Sequence, residues 1–323
     1  MRNHQQRTAV VTGATSGLGY EAARQLVDRG WGQVVVTGRT TARAKEAAAR
    51  VADETGRGVV APLELDLNRS DSVAAAADEL VRRGTPIDFL LLNAGMVSGN
   101  TRRMTDEGVE ITFASSLIGH HQLTMRLVEA GLLADDARIV IAGSEAARGD
   151  LPTFNVTDLE QFAAKHHGGD RVRAAEALIR SDDTVKYKAS HAYSDTKMFV
   201  AWWSQELARK LPSGMAVFTV SPGSAPDTDA ARNATGVMKY VMLPMFKLLP
   251  GKSMSVDVAA KRYLDAADYG TESSGAFYAS KPKKVIGPVE IMRHPHLHDR
   301  TNQAAAWEAV VKVAGGVDYP VNA

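Results

Sequence analysis

The sequence predicts a doubly wound parallel α/β sheet, and three observations carry that expectation. Short Val-, Ile- and Leu-rich runs alternate with longer Ala-rich stretches. Those longer stretches repeat apolar residues at three- and four-residue spacing, the helical period. A glycine-rich loop joins the first strand to the first helix, and no internal repeat or linker interrupts the series. Uninterrupted apolar runs suit strands buried on both faces, the condition of a parallel sheet covered by helices.

In chain order, TAVVT (8–12) is read as the first strand and 17–29 as its helix. QVVVTG (33–38) precedes a helix at 41–55, and 59–65 precedes one at 70–82. IDFLLL (87–92), apolar after its Asp, leads to a helix at 113–132, and ARIVIA (137–142) leads to one at 193–210. The strand 215–220 is followed by a helix at 255–267, and GAFYA (275–279) closes the set. Two segments break the rhythm, 145–190 and 223–254. Both lie beyond C-terminal strand ends, where such sheets bind ligands, so a substrate rim or lid is expected there. Residues 1–323 are read as one domain with these insertions and a C-terminal extension at 281–323.

Charge and composition narrow the function. The 38 Lys and Arg balance 37 Asp and Glu for a net charge of +1, so no global field recruits nucleic acid, and a small-molecule partner is expected. Without cysteine there are no disulfides, thiolate nucleophiles or Cys-ligated metals, which fits a reducing cytoplasm. The opening MRNHQQRTAVVTG has neither a signal-peptide pattern nor an anchor.

TGATSGLG (12–19) stands where a strand turns into a helix. Gly13 permits the tight turn, Gly17 lets backbone approach phosphates and Gly19 lets helix and strand pack closely. The loop from Gly13 through Thr15, Ser16, Gly17 and Leu18 to Gly19 therefore reads as a dinucleotide cradle, with the helix N-terminus facing the pyrophosphate. The second strand ends in Gly38-Arg39, where an NAD-specific fold places an acidic residue on the ribose. A basic residue suits the 2′-phosphate of NADP(H), with NAD(H) as the second choice; Arg39 otherwise reads as a solvated charge at a strand end, and Arg43 could share either role. Asp66 reads either as an acceptor for the adenine amino group or as a cap before Ser70.

Tyr193 and Lys197 are four residues apart on an expected helix, so phenol and ammonium share one face. A phenol with a pKa near ~10 is a poor base at neutral pH, and a nearby ammonium together with the cationic ring of oxidised nicotinamide can lower it. Lys197 is also placed to bind the nicotinamide ribose. Ser144, at the end of ARIVIAGS, could hold a substrate oxygen.

With these residues assembled, the sequence resembles the short-chain dehydrogenase/reductase family. The shared motifs are TGATSGLG, Asp66-Leu67, Asn93-Ala94-Gly95, Gly143-Ser144, Tyr193…Lys197 and Ser221-Pro222-Gly223, in family order. The resemblance implies a Rossmann-type fold and a nicotinamide cofactor. It further implies Tyr193 as general acid/base, Lys197 as its electrostatic partner and Ser144 as substrate-oxygen donor. Leu67, Asn93, Ala94, Gly95, Pro222, Gly223 and Thr228 fall at its cofactor-contacting positions. The glycine spacing looks like the simpler branch rather than the extended one. LNAGM, the long Ser-to-Tyr insertion and SGAFYASKPKK resemble its retinol-dehydrogenase-like and protochlorophyllide-reductase-like members. Two positions depart from the pattern: Ser116 stands where the family places a proton-relay asparagine, and Leu92 opens the Asn-Ala-Gly run.

The apolar stretch 237–249, VMKYVMLPMFKLL, and Phe154, Val156 and Phe162 point to a bulky, largely apolar ketone, aldehyde or secondary alcohol. The former stretch is too short and charge-interrupted to span a membrane. His294, His296 and His298 lack the carboxylate company of a metal site, so no metal is assigned. Trp202 and Trp203 read either as core or as a contact between two copies, which leaves a homodimer open. The alternative functions are a cofactor-binding sensor without turnover, or an epimerase or dehydratase with retained nicotinamide.

Overall fold

The computed structural model describes residues 3–96, 98–99, 101–225 and 253–319. Eight strands form one sheet in the order β3-β2-β1-β4-β5-β6-β7-β8. They are β1 (Thr8–Val11), β2 (Gln33–Gly38), β3 (Val60–Glu64), β4 (Ile87–Leu92), β5 (Leu133–Ala142), β6 (Ala216–Val220), β7 (Phe277–Ser280) and β8 (Val289–Ile291). The first seven pair in parallel and β8 closes the edge antiparallel to β7. The sheet is the Rossmann-type doubly wound arrangement expected from the sequence.

Strand order reverses between β1 and β4, where Ala9, Val10 and Val11 pair with Phe89, Leu90 and Leu91. All six residues of β4 are buried, as its apolar run required. Chain leaving β1 and β4 must part to opposite faces of the sheet, which opens a crevice at their C-terminal ends. The TGATSGLG and Asn93-Ala94-Gly95 loops stand on either side of it.

The helices are α1 (Gly17–Asp28), α2 (Thr41–Thr55), α3 (Ser70–Arg83), α4 (Ile111–Phe113), α5 (Gly119–Glu129), α6 (Leu159–His166), α7 (Arg171–Arg180), α8 (Ala189–Lys210), α9 (Val256–Asp265) and α10 (Arg300–Val313). Thr40 caps α2 by accepting the Arg43 N–H at 3.3 Å, and Gly56 ends it in the left-handed region at φ 65°.

Four expectations need correction. The helix expected at 113–132 is α4 and α5 joined by a π turn, Ala114–Ile118, and a single extra residue per turn leaves no mark in an apolar pattern. Strand β5 begins at Leu133, ahead of the apolar run, because Leu133 pairs with Ile87 across an irregular register. Strand β8 was not foreseen because three residues are too few to show alternation. Helix α10 was missed although Asp299 caps it by accepting the Asn302 N–H at 2.9 Å.

Helix α10 also settles the two tryptophans of α8. Trp202 and Trp203 are each 1% exposed, so neither forms a contact between copies. The Trp202 indole N–H donates to the His296 carbonyl at 2.9 Å, and Trp203 stacks on Trp307 of α10 with ring centroids 6.4 Å apart.

Candidate active site

The two loops at the crevice are fastened to each other. Asn93 donates its side-chain amide to the carbonyls of Thr12 (2.9 Å) and Gly13 (3.3 Å), while the Thr12 hydroxyl accepts the Ala94 N–H at 3.0 Å. Gly13 sits at φ 64°, and a Cβ there would stand 2.9 Å from Ala94 Cα. Any side chain would be both strained and in the way. Thr15 and Ser16 follow in the turn, with Ser16 the N-cap position of α1, which begins Gly17-Leu18-Gly19. Its side chain makes no capping bond, which leaves the first N–H groups of α1 facing the crevice for an anion.

Past the ends of β2 and β3, a cavity of about 520 Å³ is lined by Arg39, Lys45, Asp66, Arg69 and Ser72 among others. Arg39 is exposed and makes no ion pair among the described residues, whereas Arg69 pairs with Asp71 and Arg83 with Glu79. Asp66 is largely a local cap: Oδ1 accepts the Asn68 N–H and side-chain amide, both at 3.1 Å. Leu67 points into the core against Gly119. These surroundings fit a dinucleotide: a turn with glycines at 13, 17 and 19, a helix N-terminus and a guanidinium without an ion pair among the described residues.

The second cluster forms where β5 ends. Ser144 follows that strand, partly exposed, and its hydroxyl oxygen accepts the Ala146 N–H at 3.2 Å, leaving its own proton to donate. Tyr193 and Lys197 lie one turn apart on α8, as the spacing required. The Lys197 ammonium donates to the Ala142 carbonyl at 2.7 Å and stands 5.8 Å from the Tyr193 ring centroid. Phe154 reaches back from the insertion to within 6.0 Å of the same ring. Ser144, Tyr193 and Lys197 thus meet at one point.

The expected lowering of the phenol by Lys197 is not found. Burial pushes the Tyr193 phenol up, its hydrogen bond with Ser144 works against the rise, and the Glu145 charge adds to it. The ammonium turns to a backbone carbonyl instead, and burial brings its own pKa down to about 8.

Ser116 lies on the π turn, 1% exposed, with a hydroxyl that has no hydrogen-bond partner among the described residues. A Cβ on Gly95 would stand 2.8 Å from that hydroxyl and 3.9 Å from Lys197 Nζ, so both approach the same backbone atom. His120, missed in the sequence, stands behind them: Nδ1 is 3.2 Å from the Ser116 carbonyl and Nε2 is 2.9 Å from the Thr12 hydroxyl. A carbonyl can only accept, so Nδ1 carries the proton and Thr12 donates to Nε2. Burial drives its pKa down to about 3, which keeps the ring neutral.

Pro222 and Gly223 lie just past the end of β6, where the Gly223 N–H donates to Ser221 Oγ at 3.2 Å. Thr228 and the apolar stretch 237–249 lie outside the described residues. Among those described, His294, His296 and His298 each face a single Asp or carbonyl, and no group of side chains could hold a metal ion. None of the described helices is long and apolar enough to cross a membrane.

Asp195, two residues past Tyr193, faces the opposite way, into a cavity of about 100 Å³ beside the insertion. Its carboxylate accepts the Thr157 N–H (2.7 Å) and hydroxyl (2.8 Å), yet burial still raises its pKa to about 7. A folded-state value above the unfolded one, near ~4, means its contribution is whole below that pH and is lost as pH rises through about 7. Asp195→Asn keeps an acceptor and a donor for Thr157. From pH ~5 to ~9 the wild type should lose about 1–2 kcal/mol relative to this variant, read from denaturant unfolding at both pH values. Parallel pH dependence in the two proteins would show that Asp195 does not titrate in this range.

Comparison with known proteins matches the described geometry to a family. The model of the short chain dehydrogenases matches residues 7–156. A WW domain-containing oxidoreductase of Drosophila melanogaster is 32% identical over 275 residues, 84% of this chain. The chain spans 61% of that relative's length. The chain belongs to the short-chain dehydrogenase/reductase family. Within the family it is similar to the protochlorophyllide reductase of Avena sativa, at 27% identity over 95% of this chain and 99% of that one. Human retinol dehydrogenase 13 is also 27% identical, over 87% of this chain and 78% of the relative. Among solved structures, an uncharacterised Mycobacterium paratuberculosis protein superposes with a TM-score of 0.69 at 25% identity, covering 98% of this chain and 96% of its own. A short-chain dehydrogenase from Sphingobium yanoikuyae in complex with NADPH gives 0.53 at 26% identity, covering 81% and 84%.

Proposed function

We propose that this short-chain dehydrogenase/reductase transfers a hydride between NADP(H) and the carbonyl or secondary alcohol carbon of a bulky, largely apolar substrate. The observation that carries the proposal is the meeting of Ser144, Tyr193 and Lys197 at the end of β5, beside the glycine-loop crevice. Bound NADPH would supply the hydride. A phenol raised by burial stays protonated at neutral pH, so Tyr193 is set to donate its proton to a substrate oxygen as that oxygen gains charge. Ser144, already hydrogen-bonded to Tyr193, is set to hold the same oxygen. Lys197 and Ser116 lie on the proton's return path behind Gly95. The glycine loop, Asn93-Ala94-Gly95 and Pro222-Gly223 hold the dinucleotide, with Asp66 and the Leu67 backbone on the adenine side and Thr228 at the carboxamide. We further propose that residues 1–323 act as one cytoplasmic unit whose segments 145–190 and 223–254 border the pocket, with 281–323 bracing it.

Arg39, unpaired beside the adenosine cavity, supports the preference for NADP(H), as does the NADPH-bound Sphingobium structure. The test is nicotinamide oxidation with NADPH and with NADH over a panel of bulky apolar ketones and aldehydes. Turnover that favours NADPH is expected; tight NADPH binding without turnover on any substrate would favour the sensor reading. Arg39→Ser should lower kcat/KM for NADPH about 10-fold to 100-fold, equivalent to one or two lost charge-assisted hydrogen bonds, and spare NADH. Equal losses with both cofactors would take Arg39 out of phosphate recognition.

A further inference from the structure

The turn that carries Ser144 continues into a group of buried charges that the reaction outlined above does not use. Glu145 is 4% exposed, Arg148 2% and Arg262, from α9, 7%. Glu145 accepts the Ser221 hydroxyl at 2.5 Å through Oε2 and the Ser280 N–H at 3.2 Å through Oε1, and Arg262 Nη1 stands 3.8 Å from Oε1. Arg262 also donates to the Ser221 carbonyl (3.2 Å), the Ser280 hydroxyl (3.3 Å) and the Gly287 carbonyl (2.5 Å). Gly223, at φ 79°, passes so close that a Cβ there would stand 2.7 Å from Arg262 Nη1. Its N–H donates to Ser221 Oγ at 3.2 Å, and the Ser224 N–H donates to the Val285 carbonyl at 2.8 Å. One carboxylate and one guanidinium therefore join the end of β5, the end of β6 and the 280–287 loop.

Burying such a pair costs several kcal/mol of desolvation, and apolar side chains of the same volume hold a fold at least as well. The charges themselves are what apolar residues could not supply. On the oxidoreductase reading above, we infer that Glu145 and Arg262 are a positioning pair. They lock the Ser144 turn to the Ser221–Ser224 loop and balance the electric field at the Tyr193 hydroxyl. Among the described residues, the groups facing Tyr193 are Lys197 on its own helix, Ser144 and Glu145 from the β5 end, and Tyr263 from α9, itself beside Arg262. Removing Glu145 takes away a negative charge and leaves Arg262 uncompensated, so both effects favour the phenolate. Removing Arg262 does the reverse, since the positive charge is lost while Glu145 keeps its Ser221 and Ser280 donors.

The test is the ionisation of Tyr193 in the full chain, taken as the ultraviolet phenolate signal of each protein minus that of its Tyr193→Phe counterpart. E145Q should lower the midpoint and R262Q raise it, each by about half a pH unit or more. The basic limb of kcat/KM for NADPH-driven ketone reduction should follow in the same directions. A merely structural role would move both variants the same way or neither, and either result overturns the inference. If a single variant does not fold, the double variant E145M/R262M, which leaves no unpaired charge, replaces it. Its expected signature is a near wild-type Tyr193 midpoint with NADPH affinity lowered at least about 3-fold, and wild-type affinity would overturn the pair's hold on the Ser221–Ser224 loop. Because the ionisation is read without turnover, a protein that reduces no ketone sinks the oxidoreductase reading and leaves this result to be judged separately.

Discussion

Tyr193→Phe should lower ketone reduction at least ~100-fold while NADPH binding stays within about 2-fold of wild type. The phenol is the proton donor, and phenylalanine keeps the ring that packs 6.0 Å from Phe154 while removing only the hydroxyl. The two nearest basic groups described cannot replace it. Lys197 is committed to the Ala142 carbonyl, and the imidazole of His120 is held neutral behind the π turn. A loss of that size is the usual yield of one positioned proton donor, about 2.7 kcal/mol of barrier. Rates measured under single-turnover conditions with bound NADPH separate this step from product release. Equal turnover in the two proteins would end the assignment of Tyr193.

Trp203→Ala should cost about 3–5 kcal/mol of stability, enough to threaten the fold. The indole N–H donates to His121 Nδ1 at 3.0 Å, and His121 Nε2 lies 2.7 Å from the Val317 carbonyl. That carbonyl can only accept, so the ring carries its proton on Nε2 and receives the indole proton on Nδ1. Trp307 stacks on Trp203 and meets His121 edge-on at 5.3 Å. One side chain thus joins α5, α8 and α10, and α8 carries Tyr193 and Lys197. Truncation to Ala leaves a large cavity and an unpaired buried ring nitrogen. Trp203→Phe, which refills most of the space, should cost less than half as much in denaturant unfolding. A cost below about 1 kcal/mol for the Ala variant would mean that α10 does not brace the active-site helix.

Much of this arrangement was legible in the sequence because its signals are local. The strands fell within a few residues of expectation, since Val- and Leu-rich runs such as 87–92 have no other place than a doubly covered sheet. Tyr193 and Lys197 were found from a four-residue spacing, and Gly13 from a turn that only glycine allows. What escaped is long-range. Glu145 and Arg262 are joined only by the folding of β5 onto β6 and α9, and neither position differs locally from a surface charge. His120 and His121 carry no local mark of their burial, which comes from the packing of α5 and holds the two imidazoles to about 3 and about 4. That Lys197 gives its ammonium to the Ala142 carbonyl was hidden because spacing shows that a lysine is near, not which oxygen it chooses.

Helix α10 has a consequence for synthesis. Residues 189–210 leave the ribosome well before 300–313, so the side of Trp203 that stacks on Trp307 lacks that cover during the interval. Exposed indoles on a nascent chain are the surfaces that chaperones hold and that aggregation exploits. Activity in this protein should therefore arise only after translation has passed the last turn of α10, and a ribosome stalled before residue 300 should display a sheet without a working site.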